Sequence, residues 1–179
     1  MNENDLRVIR TKESIRNAFL ELLAQKPLDK ITVTELAKTA RINKGTFYLH
    51  YQDIDDLYNH VLENFLTESI SEMDYAELLF DDPEQFFLRI PTTFGSKKEQ
   101  FDIIIEPTRL VPLLPRIVQM LIDKLYETGR IERSVINDIR LKSILSMFSL
   151  LQEYSPEHGN ELTTVLTEMV RAFFPAAKA

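Results

Sequence analysis

Apolar residues recur at helical intervals along almost the whole chain. Ile15, Ala18, Phe19, Leu22 and Leu23 follow an i, i+3, i+4, i+7, i+8 spacing, which predicts an amphipathic helix over about residues 8–25, ended by Pro27. "TVTE" at 32–35 then matches a capping box, in which the Thr32 hydroxyl and the Glu35 carboxylate satisfy each other's free backbone amides. Behind that cap Val33, Leu36, Ala37 and Ala40 form the apolar stripe of a short second helix. Asn43 suits the N-cap of a third, very short helix. Asp53 suits that of a fourth, with Asp55 and Asp56 in its first turn. Ile54, Leu57, Tyr58, Val61, Leu62 and Phe65 carry this fourth helix to about residue 73. Short helices joined by a tight turn behind a longer first one make a helix-turn-helix arrangement.

The helical period continues beyond residue 74. Asp82 and Pro83 start a helix, a loop is expected around Phe94–Lys97, and a proline-interrupted segment covers 107–115. A helix from about 115 to 128 ends at Gly129. Residues 137–154 are apolar on nearly every side, so that helix must be covered all round. The last helix, 160–174, gathers Leu162, Val165, Leu166, Met169, Val170 and Phe173 on one stripe. With glycine only at 45, 95, 129 and 159, and no alternating run of β-branched residues, the expected class is all-α. Residues 1–52 form the helix-turn-helix part, 53–73 a linking helix, and 74–179 a second domain. Because the boundary falls inside a helix, the two parts should be joined rigidly.

One short stretch does not suit a plain core helix. In "NKGTFYLHY" (43–51), Phe47 and Tyr51 share one side at 100° per residue and serve as core anchors. Gly45 and Leu49 point the other way, flanked by Thr46 and Tyr48, with Lys44 and His50 at the borders. A solvated face would carry Glu and Lys there. A DNA major groove explains the face better. Gly45 lets backbone approach the sugar-phosphate chain, and Asn43 and the helix start offer amides to a phosphate. Tyr48 and His50 donate to further phosphates, Lys44 and Thr46 reach base edges, and Leu49 touches a thymine methyl. The alternative is that Tyr48 and Leu49 pack on a neighbouring helix.

Composition sharpens this picture. The formal net charge is −7, yet residues 1–52 hold nine Lys/Arg against six Asp/Glu, while the remainder is strongly acidic. Such a split fits an electrostatic footprint at one end, or scatter of surface charge. The absence of cysteine removes disulfides, thiolate zinc sites and thiol catalysis. No apolar leader opens the chain and no stretch is long enough to span a membrane, so a cytoplasmic location is expected.

The segment "ITVTELAKTARINKGTFYLHYQDIDDLY" (31–58) resembles the DNA-binding region of the TetR family of bacterial transcriptional repressors. That pattern is a capped second helix, a tight turn, a G-T-[FL]-Y-x-[HY]-[FY] recognition helix and a capped fourth helix, here matched over about residues 8–60. The resemblance implies a homodimer on a palindromic double-stranded DNA operator. It also implies a small-molecule effector that shifts the spacing of the two recognition helices. The expected DNA-facing set is Thr32, Thr34, Asn43, Lys44, Gly45, Thr46, Tyr48, Leu49 and His50. Two positions depart from the pattern. Arg41 stands where the family often has Gly, and costs about 1 kcal/mol if that position is left-handed. Ile54 stands where many members place a phosphate-touching Lys, which shifts the burden to Arg7, Arg10 and Lys12.

Chemistry beyond DNA binding is sparse. No P-loop or dinucleotide fingerprint occurs, and no catalytic constellation, cofactor site or metal site is expected. Asp56, His60 and Glu63 share a helix face but read as a solvated charged face. Residues 75–179 are implied to hold an effector and the dimer contact. Ser143, Ser146 and Ser149 are spaced by three, which suits a close dimer contact, a polar cavity lining, or serines bonded back to their own helix. Arg109, Tyr126, Ser146, Ser149, Gln152 and Tyr154 are the candidate pocket groups, and Val165, Met169 and Phe173 the candidate dimer residues. The competing function is a helical interaction protein of the same fold that acts through a protein partner with weak DNA binding.

Overall fold

The computed structural model describes residues 6–105, 107–151 and 159–175. Among them are ten α-helices, two 3-10 stretches and no strand, so the chain is all-α. Helix α1 (Leu6–Leu23) buries Val8, Ile15, Ala18, Phe19, Leu22 and Leu23, the stripe that its sequence period predicts. A 3-10 turn (Leu28–Lys30) leads to α2 (Val33–Thr39), α3 (Lys44–Tyr48) and α4 (Ile54–Ser71).

The caps that start these helices are formed, with one difference. Thr32 Oγ1 accepts from the Glu35 amide at 3.3 Å, but the Glu35 carboxylate pairs with the Lys26 ammonium instead of returning to Thr32. A charged partner outcompetes a neutral backbone amide for a carboxylate. On α4 Asp53 accepts from the Asp56 amide at 2.8 Å, and the Asp56 carboxylate reaches back past Asp53 to accept from the Gln52 amide at 2.8 Å.

Between α2 and α3 the turn passes through Arg41 at φ 56°. The left-handed conformation expected from the sequence is present, and a residue with a Cβ there costs about 1 kcal/mol relative to Gly.

After α4 come α5 (Leu78–Asp81), α6 (Pro83–Arg89), a 3-10 stretch (Ile90–Lys97), α7 (Lys98–Ile104), α8 (Pro107–Glu127), α9 (Val135–Leu151) and α10 (Gly159–Phe173). The loop expected around residue 94 is thus 3-10 helical. The proline-interrupted segment is not separate either, because α8 runs through Pro112 and Pro115. Both prolines are exposed, and each lacks the amide of one helix bond without ending α8. Gly129 ends α8 at φ 70°, a left-handed C-terminal position that glycine takes without strain.

The helices form two compact units. One gathers the described residues through Phe65 with residues 99–105, which hold all of α7 but its first residue; the other gathers Leu66–Lys98 and the described residues from Pro107 onward. The division falls inside α4. Reading along the chain assigns α7 to the C-terminal part; its contacts place it in the first unit instead. The Tyr58 hydroxyl donates to the Ile104 carbonyl at 3.0 Å, and the Phe65 and Phe101 rings lie 6.4 Å apart. Ile104 and Ile105 are buried there.

In the second unit α10 packs on α6 and α9, and α9 on α8. Phe86, Phe87, Leu79, Ile122, Leu125, Leu141, Ile144 and Leu166 are almost wholly buried, each contributing about 1.5–3 kcal/mol. Asp81 holds the Arg130 guanidinium through both carboxylate oxygens, pinning the end of α5 to the segment that follows α8.

Candidate nucleic-acid interface

The two sides of α3 differ sharply. Phe47 is 0% exposed, and Tyr51, just past the helix, is also buried, their rings 5.8 Å apart. On the other side Tyr48 is 56% and Leu49 68% exposed, with Asn43, Lys44 and Gly45 beside them in the open. Thr32 and Thr34, at the start of α2, are exposed as well. Thr32 Oγ1 is an acceptor in its cap, so its hydroxyl proton remains to donate outward.

The cap of α3 modifies three of the sequence expectations. Asn43 Oδ1 accepts from the Thr46 amide at 2.7 Å and from the Thr46 hydroxyl at 3.0 Å. Thr46 therefore spends its proton on the cap and is half-buried; it is a capping residue first, with only acceptor lone pairs left for a base. Asn43 keeps its side-chain NH2 to donate. A Cβ on Gly45 would meet Asn43 Oδ1 at 3.2 Å. Since two hydrogen bonds hold that oxygen, bulk at position 45 strains the cap, a reason for glycine that the sequence reading did not include.

His50 is half-buried. Its Nδ1 is buried and makes no hydrogen bond among the described residues. Burial, then the nearby Lys12 charge, push its pKa below 6.5. Above 6.5 the ring is neutral in both folded and unfolded chains. As pH falls through that value the unfolded chain takes up the proton first, so stability decreases until the folded pKa is reached and then levels. Denaturant midpoints measured on either side of pH 6.5 should drop on the acid side, and His50→Gln should flatten the drop. Four residues along α4 from Asp56, the exposed His60 places Nδ1 3.3 Å from the Asp56 carboxylate, and Ile54 is half-buried with no cation in its place.

Of the expected pocket groups, only the side chains of Tyr126 and Ser146 lie among the described residues. Ser146 is exposed on α9. The Tyr126 hydroxyl donates to the Asp138 carboxylate at 2.7 Å, and Arg133 lies over its ring at 4.5 Å, so Tyr126 ties α8 to α9 and leaves no hydroxyl proton for a ligand. Both residues answer to the same physics: a helix face that sequence reading leaves unoriented is oriented by its neighbours. The side chains of Arg109 and Ser149, together with Gln152 and Tyr154, lie outside the described residues. Ser143 bonds back to the Ile139 carbonyl at 2.8 Å.

Of the candidate dimer residues Val165 is 48% exposed, while Met169 and Phe173 are half-buried. Arg140 lies 5.9 Å from the Phe173 ring centre. Helix α9 is not covered all round: positions 135, 136, 139, 142, 143 and 146 form one exposed stripe, with Val135, Ile136 and Ile139 more than half open.

Residues 15–61 match the family described as bacterial regulatory proteins, tetR family, so the TetR resemblance read from 31–58 is borne out over that segment. YxbF of Bacillus subtilis (strain 168), named as an uncharacterized HTH-type transcriptional regulator, is 31% identical over 86 residues, 48% of this chain and 22% of its own length. YvdT of the same organism, named likewise, is 33% identical over 61 residues, 34% of this chain and 31% of its own. The HTH-type dhaKLM operon transcriptional activator DhaS of Lactococcus lactis subsp. lactis (strain IL1403) is 29% identical over 76 residues, 42% of this chain and 36% of its own. The chain thus spans little more than a third, or less, of these curated relatives. A solved structure titled dihydroxyacetone kinase operon activator DhaS matches 92% of this chain and 94% of its own, with a TM-score of 0.51 and 18% identity, a likeness of fold.

Proposed function

We propose that this protein is a DNA-binding transcriptional regulator that acts as a homodimer on a two-fold operator and represses until a small molecule binds its second unit. One observation carries the reading. A five-residue helix buries Phe47 completely and turns Lys44, Gly45 and Tyr48 outward, with Leu49 exposed at its C-cap. That mixture of a cation, a hydroxyl, an aliphatic side chain and bare backbone suits phosphate and base edges together. The tetR-family match over 15–61 covers this segment. An effector moves such an equilibrium only by its differential affinity for two states, and α4, which contributes residues to both units, offers a covalent route between them. A second reading of the sign, activation, draws on the printed names of the two DhaS matches. A reporter driven from the chain's own promoter separates them by rising or falling when the chain is deleted.

Binding to a random-sequence duplex, followed through a salt series, tests the reading. Each phosphate contact contributes about 0.9 to the slope of log affinity against log salt, so affinity should fall steeply. A flat series would favour the helical interaction protein that works through a protein partner.

A further inference from the structure

The N-terminal half of α1 and the α2–α3 turn border an open, shallow groove of about 640 Å³, lined by Leu6, Arg7, Arg10, Thr11, Ser14, Ala40, Arg41 and Ile42. Three of those residues are arginines, and none is acidic, in a chain whose net charge is −7. The Thr11 and Ser14 hydroxyls turn back to their own helix, donating to the carbonyls of Arg7 and Arg10 at 2.8 and 2.9 Å. They leave the guanidinium groups as the donors. Among the described residues neither Arg10 nor Arg41 forms an ion pair, and both are exposed.

Arg41 is the informative member. It holds a left-handed backbone at φ 56°, where glycine would sit without strain, and among the described residues its exposed side chain makes no ion pair that would repay that strain. Only Ile42 and Asn43 separate it from Lys44, the first residue of α3. We propose that this groove is a second DNA contact, in which Arg41 and Arg10 grip one backbone phosphate and anchor the register of α3. The inference rests on the DNA-binding reading and adds to it a site outside the recognition helix. Guanidinium forks suit the geometry, because each presents paired donors to phosphate oxygens.

The test is a set of substitutions in the whole chain, read by duplex affinity, salt slope and thermal midpoint together. Arg41→Gly should raise the midpoint by a few degrees, since the strain goes, while binding to random duplex weakens about three- to tenfold and the salt slope falls by about one. Arg41→Asn, which tolerates the left-handed conformation without charge, should repeat the affinity loss. Arg41→Lys should keep the slope. Arg10→Ala should weaken binding too, and its effect should not add to that of Arg41→Gly if both hold one phosphate. Unchanged affinity and slope in Arg41→Gly and Arg41→Asn, with Lys44→Ala still weakening binding, would overturn the groove contact and leave the DNA reading standing. A wild-type chain with no salt-dependent duplex binding would remove both. An Arg41-dependent rise in midpoint with inorganic phosphate alone, without any change in duplex slope, would assign the groove to a free anion and overturn the proposal.

Discussion

Phe47→Ala should unfold the first unit, and Tyr48→Ala, one residue along, should leave it folded but unable to hold DNA tightly. Phe47 is 0% exposed and packs against Tyr48 and Tyr51 with ring centres 5.4 and 5.8 Å away. Truncating a buried Phe costs about 3–5 kcal/mol. Small domains hold only about 5 kcal/mol or a little more in total, so the loss removes most of the stability of this unit. Tyr48 is 56% exposed and loses mainly its edge-on contact with Phe47, worth about 0.5–1.5 kcal/mol. Lys44→Ala, at an exposed position, should stay within about 0.5 kcal/mol of wild type. Circular dichroism melts paired with a duplex-binding assay check all three. A Tyr48→Ala protein as unstable as Phe47→Ala would place Tyr48 in the core and remove the outward face.

The second large effect concerns assembly. A single five-residue helix reads only a few base pairs, so useful specificity needs two copies, on half-sites about 34 Å or a multiple of it apart. Exposed aliphatic residues on the last two helices of the second unit would suit such a contact: Val135, Ile136 and Ile139 on α9, and Val165 on α10. Met169 and Phe173, singled out from sequence, are half-buried within their own chain, so a charge there would damage the fold as well as any interface. Ile139→Glu with Val165→Glu is the cleaner pair, since both side chains already face outward. The double variant should sediment as a monomer with an unchanged helix content. Operator affinity should fall about 10²–10⁴-fold, because two linked half-sites become two independent ones. A variant that remains dimeric and still binds would move the interface to another surface.

Local physics was legible in the chain itself. The period of Ile15, Ala18, Phe19, Leu22 and Leu23 determined α1, and Asn43 and Asp53 determined where α3 and α4 begin, because caps and helical stripes act over three or four residues. The division of α3 into a buried Phe47 and an exposed Leu49 followed from the same angle of 100° per residue. Arg41 drew attention as a side chain where glycine fits, although its place in an arginine-lined groove depends on α1, some thirty residues earlier. What only tertiary structure decided involves partners distant in sequence. Glu35 leaves its capping box because Lys26 is within reach, and α7 joins the first unit because Tyr58 bonds Ile104. Tyr126 is spent on Asp138 before any ligand can use it. Side-chain periodicity states that a face must be covered and leaves open what covers it; only the packed fold chooses the neighbour, since that choice depends on distances the chain order does not contain.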